Sequence, residues 1–291
     1  MSQLTSYIMI ITAAILLPIE FSFAKRYQAS EGTSLIPGLK YNALNGIVTA
    51  FIFWVLNGFR LSFSLFSLLI AFSIAFCGVA YTLIGFRILK SGNMTLYSLF
   101  LMSGGMLLPY LFGVYWLNEP LTFLRILGII CILIAIVMSN SGKCSFGKIQ
   151  LFYCTLVFIL NGFVSILSKY HQIADTFPRI DSMSFIVYTG IAKFILCGFI
   201  LCFQKGARQK PYFSSHKSLL LIIGVALAGG ISYLLQLTGA KELPASVLYP
   251  IVTGGSIVFS AILGKIFFKE ILTKYQLFGI LLCFMGTCLF L

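Results

Sequence analysis

Residues 117–136 read LNEPLTFLRILGIICILIAI, and residues 268–287 read FKEILTKYQLFGILLCFMGT. A shift of 151 positions lays one on the other and carries the whole segment Lys90–Asn140 onto Lys241–Leu291 without a gap. Gly104 then meets Gly255, Gly113 meets Gly264, and Gly128 meets Gly279. Glu119-Pro-Leu-Thr122 meets Glu270-Ile-Leu-Thr273. The shared pattern is Gly-x8-Gly-x5-Glu-x-Leu-Thr-x5-Gly. Apolar positions interchange freely, so the information lies in the matched glycines and acids. A weaker echo sets Phe-Ala-Lys25 beside Leu-Ser-Lys169. A duplicated unit of this length decides the architecture before any single residue does.

The composition sets the class. Of 291 residues, 59% are hydrophobic and 9% charged, and the mean hydropathy is +1.02. Soluble domains are about 45–50% apolar and about 25% charged. Disorder needs low hydrophobicity. The chain is therefore read as an integral membrane protein. A helix needs about 20 apolar residues to cross the hydrocarbon core. Ten runs qualify, near 5–24, 39–58, 63–86, 94–116, 122–140, 149–169, 183–203, 218–239, 245–268 and 272–290. Ser22-Phe23-Ala24 resembles a small-x-small cleavage site. Residues 1–6 carry no Lys or Arg, however, so the first run is read as a retained span.

Ten spans and one repeat give two halves of five: residues 1–140, a connecting loop at 141–148, and residues 149–291. A second copy of an odd number of spans enters the bilayer inverted. The expected fold is all-α: ten transmembrane helices as two inverted five-helix repeats around a central cavity. Secondary transporters often use this plan, with the substrate site near the midplane between the halves. The paired glycines suit close helix packing, since small residues let backbones approach where lipid supplies no hydrophobic drive. Glu119 and Glu270 precede spans 5 and 10, where a carboxylate followed by Thr suits capping of a helix start.

The two quoted segments resemble the end of each repeat in the drug/metabolite transporter superfamily, and specifically the EamA-type family of ten-span carriers. Lys25 at the end of span 1 is similar to that family's pattern; the usual Trp-Gly at the start of span 1 is missing. The resemblance implies export or exchange of small metabolites or drugs, commonly amino acids. It also implies a central cavity formed mainly by spans 1, 3, 4, 6, 8 and 9.

An ionisable residue inside a span is expensive and is a functional candidate by default. Glu20 and Lys193 qualify. Glu20 is the candidate proton-coupling carboxylate, against an interfacial role near Lys25. Lys193 is a candidate for binding an anionic group, against pairing with a carboxylate or snorkelling along its stem. The uncharged candidates for substrate contact are Tyr81, Ser98, Asn161, Tyr233, Gln236 and Tyr249; Ser165 is a further polar residue of span 6. Pro109 and Pro250 each free a carbonyl and are expected to kink spans 4 and 9. His171 and His216 are placed in loops.

The net charge of +13 would suggest nucleic acid in a soluble protein. Here basic residues are expected in membrane loops instead. Fourteen fall after odd-numbered spans and five (Arg60, Arg125, Lys169, Arg179 and Lys241) after even-numbered ones. That bias puts the odd loops in the cytoplasm and both termini outside, whereas the family resemblance implies cytoplasmic termini. The eight cysteines show no CxxC and no metal spacing, so no disulfide, metal or cofactor is expected. An enzyme would need clustered acids, histidines or metal ligands, and 7 acids and 2 histidines do not cluster. No nucleotide-binding GxxxxGK[ST] occurs. The sequence is thus read as a multi-pass protein of the cell membrane. Its expected function is secondary transport, with export the favoured direction and proton coupling an option. The expected partners are a small-molecule substrate and the lipid bilayer, as a monomer or homodimer. A carrier-like scaffold or sensor without transport is the alternative.

Overall fold

Each apolar run forms one helix. The computed structural model describes residues 3–32, 34–90, 94–139, 148–204, 216–268 and 274–291. Glu270, positions 141–147 of the connecting loop and the side chain of Ser98 lie outside the described residues. In chain order the elements are α1 (Gln3–Glu31), α2 (Leu35–Leu56), α3 (Leu65–Lys90), α4 (Met94–Trp116) and α5 (Phe123–Ser139), then α6 (Lys148–Ile173), α7 (Ser182–Cys202), α8 (His216–Glu242), α9 (Ala245–Phe268) and α10 (Lys274–Cys288). No strand occurs among the described residues. Seven helices, α1, α2, α3, α6, α7, α8 and α9, are long and apolar enough to span a membrane, and α4, α5 and α10 carry shorter apolar stretches. Large apolar side chains stay on the outside: Phe152 is 61% exposed, Phe199 65% and Phe284 56%. Water would penalise such a surface, whereas lipid tails do not.

Four helices outrun their apolar cores, α3 among them past position 86 to Lys90. α1 continues past position 24 to Glu31, α6 past 169 to Ile173, and α8 past 239 to Glu242. Polar groups on these extra turns find partners, which is why the helix continues. Ser218 of α8 donates to the Glu31 carboxylate at 2.5 Å. His171 is therefore not in a loop but fully buried on α6, and His216 opens α8. His171 hydrogen-bonds Ser67 of α3 at 2.9 Å and stacks on Phe185 of α7 at 3.8 Å. Lys169, counted above among the loop cations, is also buried on α6.

Most of the packing partners follow a rule. α1 lies on α8 and α9, α6 lies on α3 and α4, α2 on α7 and α8, α3 on α7, α4 on α9, and α5 on α10. Exchange each helix of the first five with its counterpart in the second five, and these pairs map onto one another. Single residues obey the same exchange. A Cβ on Gly46 would stand 2.6 Å from the carbonyl of Gly190, and one on Gly190 would stand 2.5 Å from the carbonyl of Gly46. Gly128 of α5 and Gly286 of α10 also approach closely, each 2.9 Å from the other's carbonyl by the same measure, although the shift of 151 sets Gly128 against Gly279. Gly104 of α4 lies against the backbone of Phe158 on α6, and Gly255 of α9 lies against Ala14 on α1. Gly104 and Gly255 are 151 apart; Ala14 and Phe158 are 144 apart, the spacing of Lys25 and Lys169. The expected close contacts at Gly104, Gly128 and Gly255 thus have named neighbours, and the adjacent Gly254 meets the Thr287 hydroxyl.

Candidate functional site

A cavity of ≈ 340 Å³ lies between the halves. Four helices from each half line it: α1–α4 and α6–α9, with no contribution from the α5–α10 pair among the described residues. α2 and α7 line it as well, beyond the six spans the resemblance implied. Most of the wall is apolar, including Leu17, Ile74, Met102, Val225 and Val252. The rest is a small set of polar groups, the usual composition of a small-molecule site.

Glu20, Tyr81, Asn161, Lys193, Tyr233, Gln236 and Tyr249 all line this cavity. Glu20 is on α1, and its carboxylate packs against Gly229 of α8, where a Cβ would collide with it. Lys193 is one turn beyond Gly190 on α7, at the close α2–α7 crossing. Its Cβ sits beside Gly46, and its stem passes Gly78 of α3. Glycines on three different helices therefore make room for these two side chains. Glu20 and Lys193 influence each other electrostatically. No ion pair or hydrogen bond joins them among the described residues.

The neutral candidates differ. Asn161 donates from Nδ2 to the carbonyl of Leu101 at 2.7 Å, and Gly105 leaves space for its amide. The Tyr249 hydroxyl donates to the carbonyl of Ser165 at 2.5 Å. Ser168 gives its hydroxyl proton to the carbonyl of Val164 at 2.7 Å, so at 2.8 Å the Tyr233 hydroxyl is the donor to Ser168. Gln236 donates to Ser232 at 3.3 Å, and Ser232 in turn to the carbonyl of Ala13 at 2.9 Å. These groups tie helices together at the cavity wall. Glu20, Lys193 and Tyr81 make no hydrogen bond to a described residue; their polar ends belong to the cavity.

Two further sets of residues were not singled out from sequence. Asn45 and Thr49, one turn apart on α2, line the cavity and bond each other at 3.2 Å. Their spacing of four on an apolar helix was the available signal. The second set clamps the α8–α9 turn. Lys169 donates from Nζ to the carbonyls of Ala240 and Leu243, at 2.6 and 2.7 Å, at the C-terminal end of α8. Glu119 accepts from the backbone N–H groups of Ala245 and Ser246, both at 2.7 Å, at the N-terminal end of α9. Each charge meets the helix end whose dipole it complements. Glu119 therefore caps α9 of the other half, not α5 as its position suggested. Gly113 explains the Gly-x5-Glu spacing, because a Cβ there would collide with the returning Glu119 carboxylate. Arg125 closes the clamp with bonds to the carbonyl of Pro120 at 2.9 Å and to Ser246 at 3.3 Å.

At the same end, Asp181 caps α7. It accepts from the Ser184 N–H at 2.9 Å, the Ser184 hydroxyl at 2.7 Å and Ser62 at 2.9 Å. Burial pushes its carboxyl up, but these hydrogen bonds outweigh burial and hold it below the usual range.

The EamA-like transporter family matches residues 148–291, the five helices α6–α10. No curated protein matches the chain. Twenty-eight solved chains do. One crystal structure superposes over 99% of this chain and 96% of its own with a TM-score of 0.78 at 15% identity, a likeness of fold alone. Ten apolar helices and the family pattern in α6–α10 lead to one conclusion: this is a multi-pass membrane protein whose residues 148–291 match the EamA-like transporter family.

Proposed function

We propose that the chain is a secondary transporter that exports small organic metabolites, amino acids or drugs across the cell membrane. In this mechanism the central cavity opens to the two sides by turns, and Glu20 is the proton-coupling carboxylate. One observation carries the proposal: a single cavity lined by four helices from each half, at the level where Gly46 and Gly190 cross. The exchange of packing partners supports two inverted repeats, residues 1–140 and 149–291, related by a two-fold axis in the membrane plane. Under such an axis α2–α7, α4–α9 and α5–α10 are self-paired, as reciprocal contacts across a two-fold require. Two near-equivalent halves can trade conformations, which opens the cavity to the other compartment. Asn161, Tyr233 and Tyr249 hold the wall together through their bonds to the protein, and Glu20, Lys193 and Tyr81 serve as solute contacts.

The test is counterflow in proteoliposomes. Vesicles loaded with an unlabelled solute should take up labelled solute faster than empty vesicles, and the rate should saturate. A Glu20→Gln variant should retain exchange but lose uptake driven by a pH gradient. No flux across a panel of amino acids, other metabolites and cationic drugs would instead identify a carrier-like scaffold.

A further inference from the structure

We propose that this structure is one end state of a scissor motion and that Lys169 is the latch that holds it. The counterpart of Lys169, Lys25 on α1, latches the opposite state. The inference rests on the carrier role proposed above and assigns its two gates.

The blades are the pairs α1–α8 and α3–α6, which the exchange of halves converts into one another. Their contacts repeat in detail. Ser218, at the start of α8, donates to Glu31 at the end of α1. Ser67, 151 residues before Ser218 and near the start of α3, bonds His171 at the end of α6. His171 stacks on Phe185 of α7, and Tyr27 and Tyr41, each 144 residues earlier, bring their rings to 5.2 Å. The two blades are built alike.

The packing of one blade on the other breaks the exchange. α6 lies on α8, whereas α1 and α3 lack that packing among the described residues. α6 and α8 finish at one end of the cavity, α1 and α3 at the other. Where α6 and α8 finish, the blades are tied. Tyr233 donates to Ser168, and the Lys169 ammonium takes the carbonyls of Ala240 and Leu243. Those carbonyls close α8, where the helix leaves acceptors unsatisfied and its dipole favours a cation. Ser168, Tyr233 and Ala240 also line the cavity, so the tie seals it directly. The two lysines report the same asymmetry: Lys169 is buried and Lys25 is exposed.

Two rigid blades that cross at the cavity close at one end by spreading at the other. Opening the sealed end releases α8 from Lys169 and brings α1 onto α3. There Lys25 caps the last turn of α3, with Leu89 in the place of Ala240. Each state then has one helix end capped by a lysine, which keeps the two states close in energy, as a transport cycle requires.

The experiment reads access from each face. In a background where all eight native cysteines are serine, Thr253→Cys in the cavity wall is the reporter. Arg60→Cys, in the exposed turn between α2 and α3 at the sealed end, identifies that face in separate vesicles. Without solute, a membrane-impermeant thiol reagent should label the reporter faster from the face where α1 and α3 finish. Lys169→Met should raise labelling from the Arg60 face about fivefold, and Tyr233→Phe should move it the same way. Lys25→Met should lower it by a similar factor. Lys169→Arg, which keeps a cationic donor, should stay near the wild-type ratio of the two faces. The proposal is overturned if the wild type labels faster from the Arg60 face, or if Lys25→Met leaves the ratio unchanged. It is also overturned if Lys169→Met raises both faces alike, as loss of a merely structural lysine would. Should Lys169→Met not fold, Tyr233→Phe and Lys25→Met decide. Opposite shifts in the two lysine variants without solute counterflow would keep the latches and remove the carrier role. Counterflow with a ratio that neither lysine moves would keep the carrier and remove the latches.

Discussion

Gly46 on α2 and Gly190 on α7 face each other so closely that each backbone carbonyl fills the space a methyl group on the other would need. The contact is reciprocal, and it sets the level at which the two halves meet around the cavity. Gly46→Ala and Gly190→Ala should each destabilise the protein. Alanine gains about 1 kcal/mol in helix propensity over glycine. Here that is outweighed, because the obstructing atoms are backbone and overpacking costs about 1–3 kcal/mol. Melting in detergent should show both variants below the wild type. Gly198, with nothing within 4 Å of where an added methyl would stand, should tolerate the same change.

Glu119 holds the first turn of α9 from the opposite half. Glu119→Ala removes two charge-assisted bonds at a helix N-terminus and should cost about 2 kcal/mol. Glu119→Gln should fall between, since an amide has one acceptor oxygen where the carboxylate has two. Thermal melting of the three proteins checks the order.

Lys169 holds the other side of the same turn. Lys169→Met keeps the apolar stem but strands two buried carbonyls, at about 2 kcal/mol. The Glu119→Ala and Lys169→Met effects should not add. A double-mutant cycle should give a coupling of about 1 kcal/mol, because both act on the seven residues from Ala240 to Ser246. Strict additivity would mean that the clamp is not one unit.

Asp181 gives the protein a defined acid sensitivity. Its carboxyl is depressed in the folded state by bonds from Ser184 and Ser62. Its contribution is therefore complete above the ordinary value of 3.8 and is lost as pH falls through the lower folded value. Stability measured from pH 6 downward should decline below about pH 4. Asp181→Asn should be less stable at neutral pH and flatter in that acid window.

Much of the fold was legible because the membrane leaves few alternatives: a run of 20 apolar residues has to be a helix. α4 and α9 match their expected limits of 94–116 and 245–268. The errors lie where charge begins. Hydropathy ends α6 at Lys169, but Lys169 and His171 continue the helix because they find buried partners on α8 and α3. No local pattern encodes those partners. Glu119 was legible as a cap, yet the helix it caps begins 126 residues later. The candidate side chains were found by asking which polar groups are costly in lipid. That question cannot separate Asn161 and Tyr249, which bond the protein, from Glu20, Lys193 and Tyr81, which do not. Only the packing of eight helices makes that distinction.

The most direct test of the carrier mechanism is access to the cavity from each side. Thr253 of α9 lines the cavity. In a background where all eight native cysteines are serine, Thr253→Cys is treated with a membrane-impermeant thiol reagent in sealed right-side-out and inside-out vesicles. Alternating access predicts labelling from both faces, slowed on each face by solute. Labelling from one face only, under every solute gradient tried, would contradict it.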